Sequence, residues 1–314
     1  MVVDFHVHML DAEVFRASTN KTVFTGFGAN PAPAPRPGAE SLLARIMQPE
    51  TIIEDLDARG IDKAVITSSS VLQGTSWAEA EADAALCRRC NETTADWVAR
   101  FPSRLIGSAT LPLQDVSLAL KELERCAFKV INAGSSYKGV YLGDPLYHRF
   151  WEAVHARGIT VWIHPEGVRD PWFQRYALWN SAGQSIEETK VMASLIYEGV
   201  MHRFRGVKIV MAHGGGYFPH YLGRMDRNTG NRPDTVRNMG GRKPSDFLRD
   251  FHYDTCVYDP QVLKVLGERV GADRLVMGSD YPVGEKDPVG FVRNVFSAKE
   301  TAMICGGNAA RLLS

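Results

Sequence analysis

Residues 3–8 read Val3-Asp4-Phe5-His6-Val7-His8, and three later stretches repeat the same design: VWIHPEG at 161–167, IVMAHGGG at 209–216 and LVMGSDYP at 275–282. In each, an apolar run stops on a side chain that binds cations or moves protons: His6 and His8, then His164, His213 and Asp280. In an extended strand His6 and His8 point to the same side, because the side-chain period is two. If that side faces the interior of a closed barrel, both imidazoles reach one ion, as neutral ligands that bring no net charge into the core.

Working outward, short β-branched or apolar runs alternate with longer amphipathic ones about eight times, the signature of parallel strands joined by crossover helices. The strands are expected at residues 2–6, 63–67, 105–109, 129–132, 160–164, 208–212, 252–255 and 275–278. Helical patterns cover 51–59, 78–101, 116–126, 146–157, 185–204, 217–227, 259–270 and 288–296. Glycines after Arg59 and Arg157 mark helix ends, where a left-handed residue closes the last turn cheaply. The expected fold is an α/β (β/α)8 TIM barrel, one domain spanning residues 1–314. Long insertions follow strand 1 (residues 9–48, around NPAPAPRPGAE) and strand 5 (residues 165–184, with Trp172, Phe173, Tyr176 and Trp179). Both follow strand C-termini, the end where barrel enzymes carry their chemistry, so they are expected to form lids or pocket walls, with Trp179 a substrate-contact candidate. A subunit-contact surface is the alternative for these aromatics.

Composition narrows the function. Lys plus Arg and Asp plus Glu are 36 each, so no global field attracts nucleic acid or an anionic membrane. A small-molecule partner is the better expectation. The N-terminus lacks the charge and apolar core of a signal peptide, no stretch is long enough to span a bilayer, and a cytoplasmic location follows as an expectation. Five cysteines suit a reduced compartment. Cys87 and Cys90 form a C-x-x-C pair inside ADAALCRRCNETTADW, a mid-helix context with no second pair, and read as structural.

The four strand ends are each hard to explain without a ligand. A bare His164 at the end of ITVWIH would bury its nitrogens at a cost of about 1–3 kcal/mol, and an unpaired Asp280 after LVMGS would cost more. One cation shared by His6, His8, His164 and Asp280 resolves both. His213 ends KIVMAH and is followed by three glycines that let the chain turn tightly beside the imidazole, which makes it the candidate base for a water activated by the metal. His148, His155 and His202 lie on helical patterns among polar neighbours and read as solvated; His220 and His252 receive no role.

As a set, H-x-H, His-Pro, H-G-G-G and G-S-D-Y-P resemble the amidohydrolase-related group, and within it the aminocarboxymuconate semialdehyde decarboxylase-like branch. The likeness runs through IIEDLDARGID at 52–62 and HGGGYFPHYLGRMDR at 213–227. It implies a single divalent ion, usually zinc with manganese as the alternative, on His6, His8, His164 and Asp280, with His213 activating its water. It also implies that Arg224 reaches across the interface of a homodimer or larger homo-oligomer to a substrate carboxylate, a contact suited to the guanidinium fork. Arg45 is the nearest match to a second carboxylate-binding arginine, although its spacing to Pro49 departs from the pattern. The predicted fourth strand, VINAGSSYK, ends with no lysine placed to bridge two metals, which favours one ion.

The expected reaction is non-oxidative decarboxylation of a small unsaturated or aromatic carboxylic acid. His213 and Asp280 would handle protons, and Asp280 would remain a ligand. The alternative keeps every residue and uses the water as nucleophile, giving hydrolysis or hydration of an aromatic ring-cleavage product or related carboxylate.

Overall fold

A computed structural model describes residues 1–22 and 39–314. Eight parallel strands follow in chain order around one sheet: β1 (Val3–Met9), β2 (Lys63–Ser68), β3 (Leu105–Thr110), β4 (Val130–Ala133), β5 (Thr160–Ile163), β6 (Lys208–Met211), β7 (His252–Asp254) and β8 (Leu275–Val276). The ends meet: Val7 bridges Tyr281 in parallel, His8 N donates to Tyr281 O at 3.1 Å, and Tyr281 N donates to His6 O at 3.1 Å. The sheet is therefore closed into a barrel, and helices lie between its strands as the alternation in sequence requires.

Side-chain parity fills the barrel. Phe5, Val65, Val130, Trp162, Val210 and Val276 form an inner apolar cluster, while Val7, Ala64, Ile66, Ile131, Val161 and Ile209 pack outward against the helices. Each such large side chain removed from water contributes about 1.5–3 kcal/mol. The C-terminal helix Asn308–Leu313 closes the barrel floor: Ala309 and Leu312 join the inner cluster, and the Leu312 carbonyl accepts from Thr160 Oγ1 at 2.9 Å and Lys208 Nζ at 3.1 Å.

One irregularity matters for the site. In β1 the register steps from Asp4 opposite Ala64 to Val7 opposite Ile66, so Phe5 and His6 together oppose Val65. This bulge gives the strand one extra residue. Phe5 belongs to the inner cluster, and the His6 ring, with its centroid 4.7 Å from that of Trp162, stacks above it.

The elements fall close to their sequence-based positions, with local differences. β1 runs on through Met9 and so contains His8. The pattern over 185–204 divides into Gly183–Tyr197 and Val200–Arg203, because Gly199 adopts a φ of 90°. The pattern over 217–227 opens with a short turn, Phe218–His220, and the helix proper is Gly223–Asn231. Of the insertion at 9–48, helices Ala12–Ser18 and Ala39–Arg45 are seen, and most of the proline-rich run lies outside the described residues. The insertion at 165–184 contains the turn Pro171–Ala177 and the short helix Leu178–Ser181. Among the described residues, no helix is long and apolar enough to cross a membrane.

Candidate metal centre at the barrel mouth

Two barrel strands and the turn after β8 carry the donors. His6 and His8 alternate inward on β1, and His164 extends β5, its backbone N–H donating to Ala133 O at 2.9 Å. Asp280 follows β8 in a left-handed conformation, φ 55°. The four side chains present ligand atoms that all lie within 4.8 Å of one another. His6 Nε2 and His8 Nε2 are 3.3 Å apart, and each stands 3.2 or 3.1 Å from Asp280 Oδ1. The His6 ring centroid lies 5.0 Å from that of His8, 5.1 Å from His164 and 5.3 Å from His213.

Charge and burial are consistent with a cation in this space. Burial pulls His8 and His164 below the ordinary imidazole range, His164 strongly, so both are neutral, as ligands must be. His6 behaves in the opposite way. Burial works against its charge, but Asp280 and Asp254 outweigh that and push it up to about 10 in the ion-free protein. Burial likewise opposes the Asp280 charge, and His6 and His8 overcome it and hold this carboxyl well below the usual range. Three imidazoles, one carboxylate and no thiolate make a donor set that fits a divalent transition metal. A second possible group, His6 with Asp254 and Cys256, shares the His6 ring with the first. There Asp254 has a different role, described next.

Several residues that support the donors were not singled out from sequence. Asp254, at the end of β7 and fully buried, lies with Oδ2 2.7 Å from His6 Nδ1, which leaves Nε2 of that ring facing the other donors. Glu188, on the helix Gly183–Tyr197 and fully buried, stands 2.5 Å from His213 Nδ1. Ser70 Oγ lies 3.4 Å from His164 Nδ1. The Tyr258 hydroxyl donates to Asp280 Oδ2 at 2.6 Å. The one available signal was positional for Asp254, a carboxylate at the C-terminal end of a predicted strand. Glu188 sits in an ordinary helical pattern and carries none.

His213 lies two residues past β6, in the turn Ala212–Gly215, at a φ of 47°, and Gly214, Gly215 and Gly216 follow at 62°, 78° and 62°. Four successive left-handed residues are affordable only because three are glycine. At Gly216 the space is closed as well: a Cβ would meet the Ser185 carbonyl at 2.3 Å and Glu188 Oε2 at 2.9 Å. The turn therefore holds His213 against Glu188. Burial would depress His213, but the Glu188 carboxylate wins and raises it; Glu188 itself is pushed by burial up to about 7. His213 Nε2 lies 4.0 Å from Asp280 Oδ2.

The remaining expected residues fall elsewhere. Arg45 has a different partner from the one expected: its guanidinium forks onto Asp55, with Nη2 2.5 Å from Oδ1 and Nε 3.0 Å from Oδ2. Arg224 is exposed on the helix Gly223–Asn231. Trp179, half-buried, packs beside Gly167 in the segment after His164. A cavity of about 520 Å³ opens over the ends of β2 to β5 and is lined by Ser70, Asn132, Lys138 and Glu166 among others. None of the four donors lines it; Ser70 links it to the back of His164. Cys87 and Cys90 are buried in the helix Ala80–Arg100, with burial raising both thiols, in keeping with a structural pair.

A (β/α)8 barrel with a mixed histidine and aspartate cluster at the C-terminal ends of its strands defines a class of metal-site barrel proteins. Residues 3–314 match the family model described as amidohydrolase, and the chain belongs to that family. It is 31% identical over 274 residues to a 2-amino-3-carboxymuconate-6-semialdehyde decarboxylase of Dictyostelium discoideum, covering 84% of this chain and 76% of that one. It is 28% identical to a gamma-resorcylate decarboxylase of Polaromonas sp., covering 72% and 75%. Among solved structures, a 5-carboxyvanillate decarboxylase from Sphingomonas paucimobilis superposes with a TM-score of 0.87 at 26% identity, covering 99% of this chain and 98% of that one. A dihydroxybenzoic acid decarboxylase from Polaromonas sp. JS666, solved with manganese and 2-nitroresorcinol, shares the fold with a TM-score of 0.85 at 24% identity, covering 99% and 96%.

Proposed function

We propose that this protein is a metal-dependent decarboxylase of a small aromatic or unsaturated carboxylic acid, a single catalytic domain over its whole length. The observation that carries the reading is the convergence of His6, His8, His164 and Asp280 within 4.8 Å, with the Glu188-backed His213 beside them. Relatives named as decarboxylases support the reaction type.

A divalent cation held by these four residues would act as a Lewis acid toward a substrate oxygen and stabilise the negative charge that develops as the carbon–carbon bond breaks. The chain's own residues manage the proton. In decarboxylation the bond to the carboxylate breaks, carbon dioxide leaves, and the ring or alkene carbon gains one proton. His213 is engaged at Nδ1 by Glu188, so Nε2 is the atom free to hold and deliver that proton. Asp280 Oδ2, 4.0 Å away, is too far for a direct hydrogen bond and would exchange a proton with it only by way of an intervening group. Zinc suits a site rich in imidazole and binds more tightly than manganese in the general order of affinities, and manganese is the second choice. Arg224, exposed and without a partner inside the chain among the described residues, suits a carboxylate contact made across a homodimer. Five free cysteines support a cytoplasmic setting.

The test is release of carbon dioxide from a panel of hydroxylated aromatic acids and carboxylated ring-cleavage products, using zinc and manganese forms of the enzyme. Decarboxylation predicts product hydrogen taken from solvent and no solvent oxygen. Incorporation of oxygen-18 from water into product, without carbon dioxide, would replace this reading with hydrolysis or hydration.

A further inference from the structure

Tyr258 follows β7 in a left-handed conformation, φ 57°, and is 51% exposed at the mouth of the barrel. Its hydroxyl nevertheless donates to Asp280 Oδ2 at 2.6 Å. The two oxygens of Asp280 are thereby divided. Oδ1 faces His6 and His8 at 3.2 and 3.1 Å, while Oδ2 is held by the phenol and stays 4.0 Å from His213 Nε2. The meeting depends on Gly284, whose absent Cβ would lie 2.7 Å from both the Tyr258 hydroxyl oxygen and Asp280 Cβ. Two non-glycine residues in an unfavourable backbone region, facing one another across a glycine, are an arrangement that surrounding structure must enforce.

We infer that Tyr258 is a positioning residue for the metal centre. Its O–H fixes the Asp280 carboxylate so that one oxygen is presented to the cation and the other is kept from closing onto His213. Without that hydrogen bond the carboxylate is free to rotate toward His213, which removes a metal donor and occupies the proton-handling imidazole in one movement. A neutral phenol is well suited to this role, because it supplies a strong hydrogen bond to a charged acceptor without adding a competing charge. This inference rests on the metal site of the proposed function, and it needs no knowledge of the substrate.

The test uses Y258F and Y258A in the full chain, with metal affinity measured on ion-free protein by calorimetry or chelator competition, using Zn2+ and Mn2+ alone. Loss of partners that orient ligands generally costs about 10–100-fold in metal affinity or activity. Y258F is expected to weaken binding about tenfold or more and to lower kcat with KM within about twofold. Y258A is expected to match Y258F in metal affinity, because the hydroxyl and not the ring carries the effect. Equal metal affinity in Y258F and wild type overturns the inference, and so does a rise in KM alone, which would make Tyr258 a substrate contact. A wild-type protein that binds neither ion overturns the proposed function itself, and this inference with it.

Discussion

Glu188→Gln is the most informative single change, because it keeps the shape of a fully buried side chain and removes only its charge. Glu188 Oε1 stands 2.5 Å from His213 Nδ1, and Oε2 has no partner, so the interaction with His213 is the main one this carboxylate makes. A hydrogen bond involving a charged group contributes about 1.5–3 kcal/mol. If that interaction orients His213 in the transition state, its loss corresponds to about 10- to 150-fold in kcat, at about 1.4 kcal/mol per factor of ten. Glutamine still accepts one hydrogen bond, so Glu188→Gln should fall near the lower end and Glu188→Ala near the upper. The pH profile should move as well. Glu188 raises His213 against the pull of burial, so neutralising it lets burial lower the imidazole below its wild-type position. An alkaline limb set by protonated His213 then shifts to lower pH even as the maximal rate falls. Steady-state kcat and KM across the neutral to alkaline range measure both effects, and thermal melts confirm folding. A folded Glu188→Gln with kcat within about twofold of wild type and an unmoved alkaline limb would refute the assigned role of the pair.

Four further outcomes are expected. Because His6 is pushed up to about 10 in the ion-free protein, a binding metal must displace its proton, so apparent affinity for Mn2+ should rise about tenfold per pH unit through the neutral range, as calorimetry in buffers of different ionisation enthalpy would read. The same raised value stabilises the ion-free fold fully below about pH 6.5 and is lost as pH climbs through about 10, so the ion-free melting temperature should fall on the alkaline side. Asp254→Asn weakens the 2.7 Å contact that orients His6 and should lower metal affinity about 10–100-fold, measured by chelator competition, with little change in the fold. Gly216→Ala forces a Cβ against the Ser185 carbonyl at a φ of 62°, and should cost about 1–3 kcal/mol in denaturant melts together with activity, since it moves the turn that carries His213.

The barrel was legible because its signal is repeated. Eight apolar runs separated by helical patterns can close in few ways, and each strand was placed within a few residues of its position in the structure. The donors were legible for a related reason: His6, His8, His164 and Asp280 each interrupt apolar sequence where an unligated polar group would be costly. What lay hidden was pairing between distant residues. Glu188 looks like any carboxylate in an amphipathic helix, and only the fold shows that it is fully buried against His213, 25 residues away. The β1 bulge was also invisible, because H-x-H alternation is the same with or without the extra residue at Phe5 and His6. Arg45 shows the opposite failure: its charge was legible, but the Asp55 that takes it could not be told from other acidic residues on a neighbouring helix.

The hydrogen-bond ladder ties the candidate donors to one another through the backbone. Tyr281 N donates to His6 O and His8 N donates to Tyr281 O, so the residue after Asp280 is stitched to the peptide groups on either side of Val7 in the strand that carries two of the donors. His164 is held in the same way through its own backbone N–H to Ala133. The left-handed turns of His213, Tyr258 and Asp280 cost about 1–3 kcal/mol each, and they persist because barrel closure, Glu188 and the glycines at 216 and 284 leave the chain little alternative. On this reasoning strand pairing is expected to set the spacing of the cluster, with the cation added to a framework already built. A centre built in that order should lose activity on chelation while keeping its far-UV circular dichroism, and regain it on adding one equivalent of ion. Unfolding on chelation would show instead that the ion holds the barrel mouth together, and would place it among the structural elements of the fold.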